Sequence, residues 1–385
     1  MEHIENATSK RLYNIIVVSY QNRQIRRKCL VIILISFLLL LFLHILGLEF
    51  NKAEGQSAGL CVNTKLSVDL PSADGLVMNK NIPASHWKYF TNNSTDRRIF
   101  FHETSGRSEL NIKQCCVIES AARNNPDRPI QLFLRPSSAC INSSSLHSPP
   151  WLQVLSELPN VDCVLVNEAH YFARTPLESW YSRGEWRRSK YQTAHLADYI
   201  RILTLNKGGG LYLDLDILVL DALNVTKFRN CLAYEDAFKN VIGNSVMHME
   251  RGFWLAAEIM QLISSDYDPQ GYGYHGPAAI GEVMRRHCGV VEGKRKPKKC
   301  ADVNILPSRY FYPIPSFISQ IIFRDNGNQT DLETLAKIKG SYGLHLWNSL
   351  SDIHQSIDMK SNQVFSILAR QHCPSTVARA ADFQL

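Results

Sequence analysis

The sequence predicts an α/β domain built on a mostly parallel sheet and joined to a single N-terminal membrane helix. Three observations point there. From residue 98 onward, short apolar runs alternate with stretches of helical period, which is the pattern of strand, helix, strand units. Hydrophobic residues make up 45% of the chain and charged residues 20%, enough to bury a core and too apolar for wholesale disorder. Residues 29–48 carry no formal charge at all.

That run, CLVIILISFLLLLFLHILGL, contains only His44 as a strongly polar side chain. At 1.5 Å per residue, about 20 residues of helix cross a hydrocarbon core of roughly 30 Å. It is longer than a signal-peptide core and starts late, so it reads as an uncleaved anchor. Arg23, Arg26, Arg27 and Lys28 precede it, whereas Glu49, Lys52 and Glu54 follow it. The positive-inside rule then leaves residues 1–28 in the cytosol and the rest in the lumen, the orientation of a type II membrane protein. A luminal chain meets the glycosylation machinery and oxidising conditions. Asn92, Asn93, Asn142, Asn224 and Asn328 each open an Asn-x-Ser/Thr sequon, and nine of the ten cysteines lie beyond the span, as expected for structural disulfides. No Cys/His spacing matches a zinc site. The net charge of +7 is concentrated in residues 23–28 and 294–299, so nucleic acid is not an expected partner.

Residues 49–97 are small and polar without sustained period and read as a stem, which leaves residues 98–385 as the luminal domain. IFFHETSG is a buried strand ending in a polar loop, and a helix follows through Ala122. IQLFLR and VDCVLVN are the next strands. Over residues 191–206 the sequence predicts a helix with Leu196, Ile200 and Leu203 on its apolar stripe. Asp198 and Arg201, three apart, are neighbours on its surface. The glycines at 208–210 end that helix and turn the chain into GGGLYLDLDILVL. The basic GKRKPKK stretch is a solvated loop, closed by a disulfide if Cys288 and Cys300 pair.

Near the end of that strand stand Asp214 and Asp216. Two carboxylates one residue apart converge on a cation where the pleat breaks, and carboxylate oxygens suit Mg²⁺ or Mn²⁺, which neutralise diphosphate charge. Spacing alone is weak evidence, because Asp266-Tyr267-Asp268 repeats it in what reads as a solvated loop before Pro269. An aspartyl-nucleophile phosphohydrolase would place Thr or Val where Leu218 stands, with a later acidic pair and lysine that are not evident.

The segment AHLADYIRILTLNKGGGLYLDLDILVL resembles the core of the α-1,4-glycosyltransferases, a family that includes galactose- and N-acetylglucosamine-transferring members. The resemblance extends through FFHETSG, IESAAR, LPNV, TPLESWY, GYGYHGP, FYPIP, LHLWN and QHCPST, over roughly residues 98–375. It implies a GT-A-like fold, meaning a Rossmann-like mixed sheet with flanking helices. It also implies a UDP-sugar donor, a divalent metal, and transfer with retention to a glycolipid or glycan acceptor. By the same resemblance Asp214 and Asp216 form the metal motif, His345 stands near the metal and diphosphate, and Glu103, Thr104, Ser105, Asp198 and Arg201 bind the donor. The family's serine before the helical aspartate is Ala197 here. Its Trp-Gly-x-Gln-Gly-Pro loop reads Tyr272-Gly273-Tyr274-His275-Gly276-Pro277, which puts His275 in the donor-binding set with altered hydrogen-bonding capacity. Glu235, Asp236 and Glu250 follow the metal pair, but no spacing marks one as a nucleophile, and front-face attack stays open. A second reading of the same residues is an inactive, lectin-like or scaffolding homologue of the secretory pathway.

Overall fold

The computed structural model describes residues 76–78, 97–107, 110–135, 150–236, 241–289, 300, 302–348 and 357–382. The apolar run at 29–48, the tail at 1–28 and the sequons at Asn92, Asn93 and Asn142 lie outside them. Among the described residues no helix is long and apolar enough to cross a membrane. All the described elements belong to the compact unit Ala58–Leu385.

Strands β1 (Leu76–Met78), β2 (Ile99–Glu103), β3 (Ile130–Leu134), β4 (Val161–Val166), β5 (Gly210–Leu213), β7 (Cys231–Asp236), β8 (Val241–Met249) and β9 (Asn304–Leu306) form one sheet. Their order is β1-β4-β3-β2-β5-β8-β7-β9. β2, β3, β4 and β5 run parallel, whereas β8 is antiparallel to both β5 and β7 and β1 is antiparallel to β4. The sheet is therefore mixed, with the expected parallel block at its centre. Leu76–Met78 falls inside the segment read as a stem but is an edge strand of the sheet, a correction to that boundary. Three residues are too short to show a period in sequence, and pairing with Val164–Val166 decides the matter. The run read as one strand from Gly208 is two: β5 ends at Leu213, and β6 (Ile217–Val219) leaves to pair with β10 (Gly343–His345).

Helices cover both faces of the sheet. Alternate side chains of each central strand enter opposite cores, Ile99 and Phe101 on one side and Phe100 on the other. The first core packs helices α1 (Ile112–Asn124), α2 (Pro150–Ser156), α7 (Val364–His372) and α8 (Pro374–Asp382). The second packs α3 (Gln192–Gly208), α4 (Trp254–Ser265) and α5 (Ala279–Cys288), while α6 (Asn328–Ile338) adds Ile338 to the first. The capping box of α1 is complete: the Gln114 N–H donates to Asn111, and the Asn111 N–H donates to the Gln114 side chain. A disulfide joins Cys116 on α1 to Cys373 beside α8. Glu119, fully buried, accepts from the Ser375 and Thr376 N–H groups at the N-terminus of α8, where a carboxylate complements the helix dipole. Cys288 and Cys300 are also bonded, as expected; the basic residues 294–299 between them lie outside the described residues. Cys115, Cys163 and Cys231 are free among the described residues. Asn224 and Asn328, the two sequon asparagines described, are exposed.

Asp162 is the outlier of the sheet. It lies opposite Gln131, is 2% exposed, and neither carboxylate oxygen has a hydrogen-bond partner. Burial pushes its carboxyl up to about 7. Because the folded value stands above the unfolded one, the folded chain holds that proton more tightly. The site is therefore neutral at low pH and increasingly destabilising as pH rises from about 4 through about 7, by about 4 kcal/mol in all. Asp162→Asn removes this slope. Urea unfolding of both proteins at about pH 5 and about pH 8 is expected to show the variant gaining on the parent at the higher pH.

Candidate metal and donor site

Gly209 (φ +64°) and Gly210 (φ +120°) carry the chain from α3 into β5 through backbone conformations that favour glycine. β5 then stops abruptly. The Asp214 N–H donates to the Ser245 carbonyl at 2.9 Å and the Ile217 N–H to the Asp214 carbonyl at 3.0 Å, so residues 214–216 form a turn rather than pleated strand. In a regular strand Asp214 and Asp216 would share one face but stand about 7 Å apart along it; the break lets the two side chains converge, as the sequence argument requires.

The third member arrives from β10. His345 Nε2 lies 3.4 Å from Asp216 Oδ1 and 3.2 Å from Ser245 Oγ. The Trp347 N–H donates to Nδ1 at 3.1 Å, which fixes the ring, and Trp347 itself adopts φ +54°. A non-glycine residue held there stores backbone strain, a common feature of functional sites. The Tyr312 ring stacks on His345 at 5.3 Å. The ligand-capable atoms of Asp214, Asp216 and His345 all lie within 4.8 Å of one another. With bonds of about 2.1 Å, an octahedral ion sets its ligands about 3 Å apart when adjacent and about 4 Å when opposite, so side-chain adjustments of under about 1 Å would let one divalent cation meet all three. Two carboxylates and an imidazole are a donor set suited to a divalent metal cation.

Behind this group lies a buried ionic network. Arg201 Nη1 is 2.9 Å from Asp214 Oδ1, and Nη2 is 3.5 Å from Asp198 Oδ1. The same guanidinium donates to the carbonyls of Asn244 at 2.9 Å and Ala197 at 3.0 Å and lies over the Tyr212 ring at 4.7 Å. The Tyr212 hydroxyl donates to Asp214 Oδ1 at 2.5 Å. Burial by itself would raise the Asp214 carboxyl. Arg201, with the hydrogen bonds from Tyr212 and Ser245, overcomes it and holds that carboxyl below the usual range. Asp216 has no such cation: burial pushes it up, His345 opposes this, and the Asp214 charge adds to the rise. Asp198, raised by burial against the pull of Arg201, accepts from Asn244 Nδ2 at 2.7 Å.

Sequence placed Asp198 and Arg201 on the surface of the helix. The structure buries both, at 7% and 5% exposure, because β8 packs over that face. Glu103, Thr104 and Ser105 lie at the end of β2, as expected, but their side chains serve the loop itself. Glu103 accepts from the Ser105 hydroxyl at 2.6 Å and from the Ser105 and Gly106 N–H groups at 3.2 Å each, and the Thr104 hydroxyl donates to the Thr193 carbonyl at 3.3 Å. They shape the rim between β2 and α3.

His275 needs correction as a donor contact. It is 1% exposed, its Nε2 lies 2.9 Å from the Asp268 carbonyl, and its ring packs among His195, Tyr199 and Tyr267. Asp266 accepts from the Tyr274 hydroxyl at 2.6 Å, so the loop read as purely solvated anchors the 271–277 turn. The neighbour of His275 meets the site instead. A Cβ on Gly276 would stand 2.3 Å from Asn244 Nδ2 and 2.8 Å from both Asp198 carboxylate oxygens. Gly276→Ala is expected to cost about 1–3 kcal/mol through overpacking and to lower metal-dependent turnover, read by thermal unfolding and UDP-sugar hydrolysis.

Residues 112–235 match the model for the glycosyltransferase sugar-binding region containing the DXD motif. Residues 248–380 match the alpha 1,4-glycosyltransferase conserved region. The chain belongs to the alpha-1,4-glycosyltransferase family. This family member is 27% identical over 351 residues to lactosylceramide 4-alpha-galactosyltransferase of Homo sapiens, covering 91% of this chain and 93% of that protein. It is 29% identical to the same protein of Mus musculus, over 74% of this chain and 76% of that one. Human alpha-1,4-N-acetylglucosaminyltransferase is 26% identical over 73% of this chain and 79% of its own length. Among solved structures, galactosyltransferase LgtC in complex with donor and acceptor sugar analogues aligns over 72% of this chain and 96% of that one, at 14% identity and TM-score 0.40. That likeness is too distant to carry a reading of the site.

The two matched regions of the glycosyltransferase chain leave residues 236–247 between them, and there sit Asn244 and Ser245, two site residues the sequence reading missed. The register of β8 against β7 jumps from Met247 opposite Leu232 to Gly243 opposite Ala233. That irregularity turns Asn244 and Ser245 out of the ladder toward Asp198, Asp214 and His345. The available signal was Gly243-Asn244-Ser245 interrupting an otherwise apolar strand, since a glycine inside a strand often marks a bulge or a close approach.

Proposed function

We propose that this glycosyltransferase is a metal-dependent, retaining α-1,4-hexosyltransferase of GT-A-like fold, anchored as a type II protein in the Golgi membrane. It transfers galactose, N-acetylgalactosamine or N-acetylglucosamine from a UDP-sugar to the terminal sugar of a lactosylceramide-like glycosphingolipid or a glycoprotein. The observation that carries this reading is the convergence of Asp214 and Asp216, on the turn after β5, with His345, at the end of β10, around one point. Mn²⁺ or Mg²⁺ held there supplies charge neutralisation of the diphosphate leaving group. Arg201 and Tyr212 keep Asp214 ionised, and Ser245 and the Trp347 N–H orient His345. The relatives, named for transfer of galactose or N-acetylglucosamine, support a hexose or N-acetylhexosamine donor. Exposed Tyr272 and Tyr274, on the turn whose Gly276 packs against Asp198, offer aromatic faces of the kind that sugars stack on.

The test is a panel of UDP-galactose, UDP-N-acetylgalactosamine and UDP-N-acetylglucosamine crossed with glycolipid and glycan acceptors in Mn²⁺. One donor should be preferred, with product anomerity matching that of the donor. Absence of metal-dependent turnover with every donor overturns the reading. A tag placed after residue 48 should resist protease in intact Golgi vesicles, and digestion there would refute the topology.

A further inference from the structure

Lys113, the second residue of α1, is 8% exposed. Among the described residues its ammonium has no hydrogen bond and no ion pair; Nζ lies 4.8 Å from the centre of the Phe323 ring. Lysine is almost never buried unless it is paired, because taking an ammonium out of water costs more than packing its stem returns. Glu119 on the same helix is the contrast. Its buried carboxylate pairs with Arg123 and accepts from the Ser375 and Thr376 N–H groups. One helix thus carries a buried charge that is fully matched and another that is not.

The packing of α1 carries that unmatched charge to the metal group. The helix runs beside β6 in the same direction: the Val219 N–H donates to Ser120 Oγ at 3.0 Å, and further on the Leu223 N–H donates to Asn125 Oδ1 at 2.8 Å. Back from the first of these contacts, three residues of extended chain at about 3.3 Å each reach Asp216. Seven residues of helix at about 1.5 Å each reach Lys113. Both paths are about 10 Å long, and seven residues are two helical turns, so Lys113 shares the face of Ser120. The ammonium therefore stands beside Asp216. Burial lowers its pKa, and the Asp216 charge opposes that fall. No ion pair forms between the two, so the nitrogen stays uncommitted. It also stands in the first turn of a 13-residue helix, where the dipole favours an anion. A phosphate oxygen supplies what the ammonium lacks, an acceptor bearing charge.

We propose that Lys113 is a diphosphate-binding residue, its ammonium pairing with a phosphate oxygen of the donor on the α1 side of Asp216. The inference rests on the reading of Asp214, Asp216 and His345 as a metal and sugar-diphosphate site. It gives the diphosphate a cation that belongs to the chain, in addition to the ion. The same burial makes the ammonium unfavourable in the unliganded fold, the exchange of stability for binding that functional sites show.

The experiment compares the full chain in detergent with Lys113→Met, which keeps the length of the side chain and removes the charge. Four quantities are measured: thermal unfolding without ligand, affinity for Mn²⁺ alone, affinity for UDP in saturating Mn²⁺ by calorimetry, and affinity for uridine by competition against UDP. The variant should unfold at the parent's temperature or higher, since a buried unpaired charge has gone. Mn²⁺ should bind it as tightly or more tightly, a neighbouring like charge having been removed. UDP affinity should fall at least about tenfold, while uridine, which has no phosphate, should change by less than about twofold. UDP affinity unchanged in the variant would overturn the proposal and leave Lys113 a packing partner of Phe323. So would equal losses for UDP and uridine, or a fall in unfolding temperature with all three affinities lost together, which mark a structural role. A parent that binds no UDP in Mn²⁺ would instead overturn the donor reading beneath the proposal, and that result appears before any substitution is made.

Discussion

Asp216→Ala is expected to abolish Mn²⁺-dependent UDP-sugar hydrolysis while leaving the fold intact. A metal on a leaving diphosphate contributes several kcal/mol of transition-state stabilisation, which corresponds to roughly a thousandfold in kcat/KM. The fold should survive because Asp216 is a poor contributor to stability: burial already pushes its carboxyl up, no cation of the Arg201 kind sits against it, and its one backbone donor is the Asn348 N–H at 3.1 Å. Losing that bond and the buried charge together should change unfolding free energy by only about 1 kcal/mol. The control is in the chain itself. Asp266→Asn alters the other Asp-x-Asp, whose first carboxylate is exposed and hydrogen-bonded to Tyr274, and should leave the Mn²⁺ requirement untouched. Manganese titration followed by calorimetry separates the outcomes. Retention of Mn²⁺ affinity by Asp216→Ala would remove this carboxylate from the metal site.

Arg201→Met should do the opposite, damaging the fold as much as the chemistry. The guanidinium is 5% exposed and is the counter-charge of both Asp198 and Asp214, as well as a donor to two backbone carbonyls. Removing one partner of a buried ion pair leaves an uncompensated charge and costs roughly 3–5 kcal/mol. The sign of its pH dependence follows from Asp198. Burial already holds that carboxyl above its unfolded value; without Arg201 the gap widens, so the folded state loses stability as pH rises through the carboxylate range and recovers it as the group is protonated. Urea unfolding at about pH 4.5 and about pH 7.5 should therefore show a smaller deficit at the acid end. Arg201→Lys keeps the charge without the planar fork, so it should fall between parent and Met variant. A deficit that does not change with pH would mean that packing of the guanidinium, rather than charge, carries the effect.

Much of this was legible in the residues. β2, β3 and β4 were readable because a strand in a sheet buried on both faces must be apolar throughout, and IFFHE, IQLFL and VDCVLV nearly are. The helix before the metal motif was readable from its length and its glycine stop. Asp214 and Asp216 stood out through context: a glycine turn before them and an apolar strand around them, both missing at Asp266. Leu76–Met78 was not legible, since a three-residue strand has no period and exists only through its pairing with β4. His275 was misread because replacing an amide by an imidazole in a loop suggests a ligand contact, whereas the ring is drawn into a cluster of His195, Tyr199 and Tyr267. Gly276, which looked like a mere spacer, is the residue that lets the loop approach Asp198 and Asn244.

The sequence by itself determined the alternation of strands and helices and the setting of the carboxylate pair between a glycine turn and an apolar strand, and it offered the Cys288–Cys300 pairing. These depend on neighbours along the chain, where period, composition and short spacings act directly. Tertiary structure alone decided that Arg201 is buried between two carboxylates and that a register irregularity in β8 brings Asn244 and Ser245 into the site, and it gave the geometry for His345, whose place beside the pair only the family resemblance implied. Apart from Asp198, three residues from Arg201 on the same helix, those contacts join residues distant in sequence through strand pairing and helix packing, and their energies come from burial and charge compensation that only the assembled sheet creates.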